Sequence, residues 1–214
     1  MDNHPKKAPV TPISDESFEI LIGIMGHFIE LSKEFKAMLR RMLFEVTYGK
    51  GNTILSPGAK QNIVWFTIDG LLREISVDKD SYAEKTSWFW FALTFIYAIP
   101  GFFDQEPSQV KIKVVKDSKV IFISYDNWKI LKDTFAETDK LTEKIRSDFE
   151  VARKQHANDI IDLSTTERYL KKEVELNLLF PYIQLKYIAE YMGMSTDTLG
   201  KLRRRFKNRQ LPTV

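Results

Sequence analysis

Basic side chains that could neutralise phosphate groups are concentrated near the C-terminus of the 214-residue chain. Residues 182–214 include seven Lys or Arg and two acidic residues, whereas the whole chain has 32 basic and 29 acidic residues. The basic residues of this segment are Lys186, Lys201, Arg203, Arg204, Arg205, Lys207 and Arg209. Such a local excess of positive charge predicts contact with a polyanion such as a nucleic acid.

Two short helices are predicted to position these basic residues. Apolar spacing predicts the first helix over residues 184–192, and Gly193 follows where a tight turn requires a positive φ. Ser195 is the predicted N-cap of a second helix over residues 196–208. The residues predicted to face inward on the second helix are Leu199, Leu202 and Phe206. Two helices joined through a turn with glycine form a helix-turn-helix, although an ordinary helical hairpin with a solvated basic face is the alternative.

A helix-turn-helix places its second helix in the major groove of double-stranded DNA. Side chains near the start of that helix then reach base edges, and the arginines near its end contact phosphates. The candidate DNA-binding residues are Gln184, Lys186, Ser195, Thr196, Asp197, Thr198, Lys201, Arg203, Arg204 and Arg205. We expect Lys201 to influence sequence preference and Arg204 to add affinity for any DNA.

A long helix without Gly or Pro is predicted between about residues 135 and 163. Its apolar and small residues recur in steps of four, four and three residues. This repeat places them in a single stripe along one face of the helix. The stripe can pack on the rest of its own chain or pair with a second copy, and we favour pairing in a homodimer. The predicted dimer-helix residues are Leu141, Ile145, Phe149, Ala152, His156 and Ile160.

A further helix is predicted to begin after Ser164, because Ser164 and Glu167 form a capping-box pattern. It carries Tyr169, Leu170, Val174 and Leu178, and Pro181 ends the region.

The N-terminal part of the chain combines helices and strands. Apolar residues recur at helical spacing over residues 17–42, which predicts two short helices. From residue 44 to 123 they recur at every second position, as in strands, with frequent Gly and Pro. Asp69-Gly70 is predicted to form a hairpin turn between two of these strands. The fold class is therefore α+β, with a β-roll of the double-stranded jelly-roll type, flanking helices, a long dimerisation helix and a helical helix-turn-helix domain. The predicted parts are a flexible N-terminus (1–16), a β-roll sensor domain (17–134), the dimerisation helix (135–163) and the DNA-binding domain (164–214).

Several classes of protein are excluded by composition. The chain has no cysteine, which excludes disulfides and thiolate metal sites, and its histidines are too scattered for a metal cluster. Motifs typical of enzymes are missing as well, so we expect no enzyme. The apolar segment 88–103 is interrupted by Pro100-Gly101 and is too short to span a membrane, and the N-terminus is not a signal peptide. We therefore expect a cytoplasmic protein without a membrane segment.

Three segments resemble the Crp/Fnr superfamily of cyclic-AMP-receptor-like regulators, particularly the form seen in Bacteroidetes. The family's C-terminal motif is similar to residues 183–199, IQLKYIAEYMGMSTDTL. Its early β-roll turn is similar to residues 50–58, KGNTILSPG, and the end of its sensor domain is similar to residues 123–126, ISYD. The resemblance covers about residues 18–208. It implies a cyclic-nucleotide-binding-like sensor domain, a dimer helix and a winged helix-turn-helix, with transcription regulation as the function and RNA polymerase as a further partner.

Departures from the family pattern limit what the resemblance implies. The family often has Glu, Ser and Arg on the recognition helix, where Asp197, Gly200 and Lys201 stand here, so base preference is not transferred. The short tail after Phe206 predicts that the usual wing is absent. A ligand-sensing or protein-interaction module that does not bind DNA is the alternative function.

The expected sensor site also departs from the family. Members that bind cyclic nucleotides use an Arg for the phosphate and a Glu for the ribose, and the corresponding residues 95–110 include no basic residue. A buried phosphate without a cationic partner is costly, so we expect no cyclic AMP and no other known cofactor. Aromatic residues within this segment and shortly before it could form a pocket for a hydrophobic effector or, as we favour, a collapsed aromatic core. These residues are Trp88, Trp90, Phe95, Tyr97, Phe102 and Phe103.

Overall fold

Seven strands and eight helices form the part of the chain that the structure, a computed structural model, describes, which is residues 9–78 and 80–206. The strands are β1 (Thr11–Pro12), β2 (Phe44–Tyr48), β3 (Thr53–Leu55), β4 (Ile63–Val77), β5 (Glu84–Trp90), β6 (Phe95–Ile96) and β7 (Val110–Ser124). The helices are α1 (Asp15–Gly26), α2 (Lys33–Met42), α3 (Tyr125–Thr134), α4 (Ala136–Asp162), α5 (Thr165–Lys171), α6 (Glu173–Leu179), α7 (Leu185–Tyr191) and α8 (Thr196–Phe206). None of these helices is both long enough and apolar enough to cross a membrane.

The chain divides into two compact units, and α4 contributes residues to both. The first unit contains the described residues up to Glu84 together with Trp88–Glu150. The second contains Lys85–Ser87 and the described residues from Val151 onward. The ends of α4 lie within two residues of the boundaries predicted at 134/135 and 163/164.

The first unit is built on an antiparallel sheet in the order β1-β2-β7-β4-β5, with β3 paired to β7 and β6 paired to β4. Successive residues of a strand point to opposite faces, and here each face is buried. The face toward the helices forms a helix-side core that includes Leu21, Phe35, Phe66, Ile121 and Leu131. The other face forms a roll core that includes Trp65, Leu72, Trp90, Ile112 and Val120.

The hairpin turn predicted at Asp69-Gly70 is wrong. Strand β4 continues through this pair, and its register against β7 shifts on both sides of Asp69. Gly70 has φ +138°, and a Cβ at this position would lie 2.1 Å from Oγ of Ser118 on β7. Glycine is therefore needed for an irregularity in a continuous strand and for the close approach of Ser118.

The two helices predicted between residues 17 and 42 are confirmed as α1 and α2. Ser14 and Ser32 cap them, because their hydroxyls accept from the backbone N–H of Ser17 (3.4 Å) and of Phe35 (3.1 Å). The flexible N-terminus is wrong for residues 11–16, since β1 pairs with β2 and Ile13 is buried. Residues 9 and 10 are exposed and belong to no helix or strand, and residues 1–8 lie outside the described residues.

The long helix is confirmed as α4, a helix of 27 residues, and most of its stripe contacts the rest of the chain. Leu141 and Ile145 belong to the helix-side core, and Phe149 stacks on Trp90 with ring centroids 4.7 Å apart. Beyond residue 150 the stripe also packs within its own chain. There, His156 stacks on Tyr191, and Ile160 lies under Gly193. Leu141 and His156 are therefore buried within the chain, whereas Ile145, Phe149 and Ile160 are half-buried and Ala152 is exposed. Pairing of this stripe with a second copy stays a prediction.

The capping box at Ser164 and Glu167 is confirmed, but the helix predicted after it is divided in two. The backbone leaves the helical conformation at Lys172, with φ −100° and ψ 11°, between α5 and α6. This break changes which residues of α6 face the interior. Leu176 and Leu179 are buried there, whereas Val174 and Leu178 are exposed.

Candidate nucleic-acid interface

The two helices predicted near the C-terminus are confirmed as α7 and α8. Gly193 has φ +59°, and the next residue's N–H bonds back to the Ala189 carbonyl at 3.1 Å, so the chain turns sharply after α7. The hydroxyl of Ser195 accepts from the backbone N–H of Thr198 at 3.0 Å, as an N-cap does. α8 extends to Phe206, and the predicted continuation to residue 208 lies outside the described residues.

One face of α8 is buried and the opposite face is exposed. Leu199 and Leu202 are 0% and 7% exposed and pack into the second unit. Asp197, Lys201 and Arg204 follow the i, i+4, i+7 spacing of the opposite face, and all three are exposed. The 2.7 Å ion pair between Lys201 and Asp197 involves side chains that are 69% and 70% exposed, so it contributes little to folding stability. The exposed face therefore presents two basic groups to solvent.

Two more arginines lie beside that face and are supported by aromatic rings. The Arg203 guanidinium carbon is 4.2 Å from the Phe180 ring centroid, and that of Arg205 is 5.2 Å from the Phe206 centroid. Phe206 in turn stacks on Tyr169, with centroids 5.6 Å apart. Such contacts restrict the side chains while leaving their N–H groups able to bind phosphate. Phe180 was not singled out by the sequence, because nothing in the spacing pairs it with Arg203.

Most of the predicted DNA-binding set is accessible. Nine of the ten residues are exposed, and Thr198 is half-buried. Gln184 and Lys186 lie at the start of α7, where Lys186 Nζ is 5.8 Å from the Tyr187 ring centroid. On α8 itself, four basic residues stand against one acidic residue. The predicted residues therefore form an exposed basic surface around the outward face of α8.

Arg168 supports this surface from inside the second unit, a role that the sequence did not reveal. Its side chain is 4% exposed. Nη1 donates to the carbonyl oxygens of Asp159 (3.1 Å), Ile160 (2.7 Å) and Leu163 (3.2 Å) at the end of α4. Because Arg168 directly follows the capping-box Glu167, sequence alone suggests an exposed helix residue rather than a buried donor.

A second buried contact joins α4 to α7. His156 Nε2 donates to the Tyr191 carbonyl oxygen at 3.0 Å, and the two rings stack at 4.2 Å. Burial, followed by the nearby Lys172 charge, lowers the pKa of His156. Burial also raises the pKa of Tyr191, whose hydroxyl donates to Glu175 at 3.2 Å. Both rings are therefore held in their neutral forms.

The predicted effector residues lie in the interior of the first unit, where Tyr97 contacts both Trp90 and Phe103. Trp90, Tyr97 and Phe102 are at most 3% exposed, and Trp88, Phe95 and Phe103 are half-buried. The Phe149 ring contacts those of Trp88 at 5.8 Å and Tyr97 at 5.1 Å, in addition to its stack on Trp90. Phe149 of α4 thus occupies the space beside Trp88, Trp90 and Tyr97.

No group of three or more His, Cys, Asp or Glu side chains that could hold a metal ion occurs among residues 9–78 and 80–206.

The rolled antiparallel sheet with its flanking helices has the cyclic-nucleotide-binding-domain fold. No family model and no curated protein matches the sequence. A cyclic-nucleotide-binding domain from Methylobacillus flagellatus matches with TM-score 0.63 and 14% identity, over 74% of this chain and 90% of that chain.

The structural neighbours include transcription regulators of the Crp/Fnr family. A protein of that family from Eubacterium rectale matches with TM-score 0.64 and 17% identity, over 83% of this chain and 84% of that one. The c-di-GMP-responsive global regulator CLP of Xanthomonas campestris matches with TM-score 0.60 and 14% identity, over 82% and 92%. At these identities the likeness shows the fold, which agrees with the α+β architecture and the family resemblance of the sequence.

Proposed function

We propose that this chain is a sequence-specific DNA-binding transcription regulator of the Crp/Fnr type, acting as a homodimer and without a catalytic role. The proposal is carried by the exposed face of α8, where Lys201 and Arg204 project opposite the buried Leu199 and Leu202. A helix held in this way can enter a major groove, with Lys201 near base edges and the arginines near phosphates. The neighbours support the proposal, because CLP is described as a global regulator that links signalling to gene expression. RNA polymerase would be the further protein partner.

The homodimer would form through the face of α4 that lies opposite its buried stripe. Val151 is 63% exposed and Ile161 is 80% exposed, although both are branched aliphatic residues. Helical geometry places them on the side away from Phe149 and His156. Two copies joined along this face would present two α8 helices to half-sites about one DNA turn, roughly 34 Å, apart on a pseudo-palindrome.

In this proposal the sensor domain does not bind a cyclic nucleotide. Residues 95–110 carry no basic side chain for the phosphate, while Asp104 and Glu106 are both exposed acids. The aromatic core around Phe149 further supports the loss of a nucleotide site.

Salt dependence of binding to duplex DNA tests the function. If several basic side chains of α8 displace counterions from phosphates, the logarithm of the affinity falls by about 0.9 per contact for each tenfold rise in salt. The matched control is a variant with Arg203, Arg204 and Arg205 all changed to Gln, which we expect to have a slope smaller by about three. Absence of salt-dependent binding in the unchanged protein would instead favour the alternative, a sensing or interaction module that does not bind DNA.

A further inference from the structure

The helix-side core contains a cavity of about 70 Å³. It lies between the sheet and four helices, with Leu21 and Phe35 on one side, Ile121 on the sheet, and Leu131 and Leu141 on the other side. Cores of folded proteins have few voids larger than a water molecule, so a cavity of this size is unusual. The lining side chains named here are at most 5% exposed.

The chemistry of the lining is almost uniform. No charged side chain is among the described residues that line the cavity. Such a wall disfavours ions, because an ion would lose its hydration without gaining a partner. The lining therefore selects an uncharged and mainly apolar occupant.

Few lining residues carry polar side-chain atoms, and two of them, Thr138 and Thr142 of α4, differ in their hydrogen bonds. Thr142 Oγ1 accepts from Nε1 of Trp128 at 3.2 Å. Thr138, which is 4% exposed, has a buried Oγ1 without a hydrogen-bond partner among the described residues. A buried hydroxyl without a partner is costly, and nearly all such groups in native proteins are satisfied. Thr138 therefore provides a polar contact on the α4 side of a mainly apolar site. Trp65 of the sheet is also a lining residue, and its Nε1 is likewise buried without a partner among the described residues.

We propose that this cavity binds a small uncharged molecule that is mainly apolar and has one hydrogen-bonding group, which meets Oγ1 of Thr138. The volume of this cavity is about half that of an engineered cavity of about 150 Å³ that binds benzene. A ligand that fits it therefore has roughly three or four non-hydrogen atoms. Short-chain alcohols and ketones have this chemistry. Phe95, Tyr97 and Phe103, from the predicted effector set, also line the cavity. The inference does not depend on DNA binding.

Methyl-resolved NMR of the full chain, titrated with xenon and separately with 2-propanol, tests the site. We expect saturable shifts of the Leu21, Ile121 and Leu131 methyl groups. The methyl groups of Leu72 and Ile112 in the roll core serve as the internal control and should not shift. Acetate, which is similar in size but charged, should have no effect.

Two variants separate the roles of volume and hydroxyl. Thr138→Val keeps the shape and removes the oxygen, so 2-propanol should bind roughly 3- to 10-fold more weakly while xenon binding changes less than about twofold. Val64→Ile adds a methylene to the lining and should weaken both ligands. Shifts that grow linearly without saturation, equal shifts in both cores, or a Thr138→Val variant that binds 2-propanol as well as the unchanged protein would each overturn the proposal.

Discussion

The Nη2 atom of Arg168 donates a 3.2 Å hydrogen bond to the carbonyl oxygen of Gly193, at the turn between α7 and α8. Nη1 of the same side chain satisfies carbonyl groups at the end of α4. The last carbonyls of a helix have no partner within that helix, so a single guanidinium completes α4 and fixes the turn that aims α8. The geometry of the candidate interface is therefore set partly by a residue that does not reach its surface.

Arg168→Lys should destabilise the protein by about 2 to 4 kcal/mol, because a lysine cannot make four hydrogen bonds in this planar arrangement and leaves a buried charge poorly paired. Urea unfolding measures the loss. Arg204→Lys, at an exposed position, is the control and should change the free energy of unfolding by less than about 0.5 kcal/mol. Equal stability of the two variants would contradict the role given to Arg168.

Two glycines of the same region should respond to alanine in opposite directions. Gly193 has φ +59°, and an added Cβ would lie 2.8 Å from Cγ2 of Ile160, so Gly193→Ala should cost about 1 to 3 kcal/mol. Gly200 lies within α8, and its Cβ would meet Leu185 at an ordinary contact distance of 3.6 Å. Gly200→Ala should therefore stabilise the protein by about 0.5 to 1 kcal/mol. Thermal unfolding of both variants distinguishes the signs, and stabilisation by Gly193→Ala would contradict the conformation of the turn.

The elements of this fold could be predicted from local spacing, but their partners could not. Gly193 and Ser195 lie between two apolar helical patterns, and such local signals predict a turn and a cap. Asp69-Gly70 has the same composition as a hairpin turn, and what makes it a bulge is Ser118, 48 residues away from Gly70 along the chain. The spacing likewise predicts the mainly apolar stripe of α4, yet its period does not indicate whether the same chain or a second copy covers that stripe.

The same holds for the candidate interface, where features within one helix could be predicted and contacts between helices could not. The exposure of Lys201 and Arg204 was predictable because Leu199 and Leu202 define the buried face of one helix. The contacts of Arg168 and Phe180 join residues of separate helices, and helix periodicity contains no information about such pairs.

Stability should fall with decreasing pH because of His156. Burial lowers the pKa of His156 in the folded protein below its ordinary value of 6.5, although Glu175 and Asp159 partly oppose this. The stability that this neutral ring contributes is present above about pH 6.5 and is lost as the pH falls through the lowered pKa. Urea unfolding at about pH 7.5 and about pH 5.5 measures the effect.

The variant His156→Phe provides the control for this pH dependence. It keeps an aromatic ring against Tyr191 but cannot titrate, and it loses the hydrogen bond to the Tyr191 carbonyl. We expect it to be less stable than the unchanged protein at neutral pH, with a difference that narrows as the pH falls. A difference that stays constant across the pH range would show that His156 does not titrate during unfolding.

On DNA, Lys201→Ala and Arg204→Ala should act differently. Lys201 lies one turn closer to the start of α8, where we propose that it reaches base edges, so its removal should reduce the ratio of operator affinity to random-DNA affinity. Arg204→Ala should weaken both affinities alike and reduce the salt slope by about one. Fluorescence anisotropy with operator and scrambled duplexes measures both effects. If Lys201→Ala weakened operator and scrambled DNA by the same factor, Lys201 would be a phosphate contact instead.

The α4 face proposed to join two copies can be tested by introducing charge. Val151→Glu would place like charges on both copies of the proposed face and should shift the dimer toward monomer in sedimentation equilibrium without unfolding the chain. Ala152→Glu is the matched control, since Ala152 is also exposed but lies on the side of the buried stripe. Phe149→Glu should instead destabilise the first unit by about 3 kcal/mol or more, because it buries a charge among Trp90 and its neighbours. If Val151→Glu remained a dimer, or if Ala152→Glu became a monomer, the interface would lie on the stripe side of α4 instead.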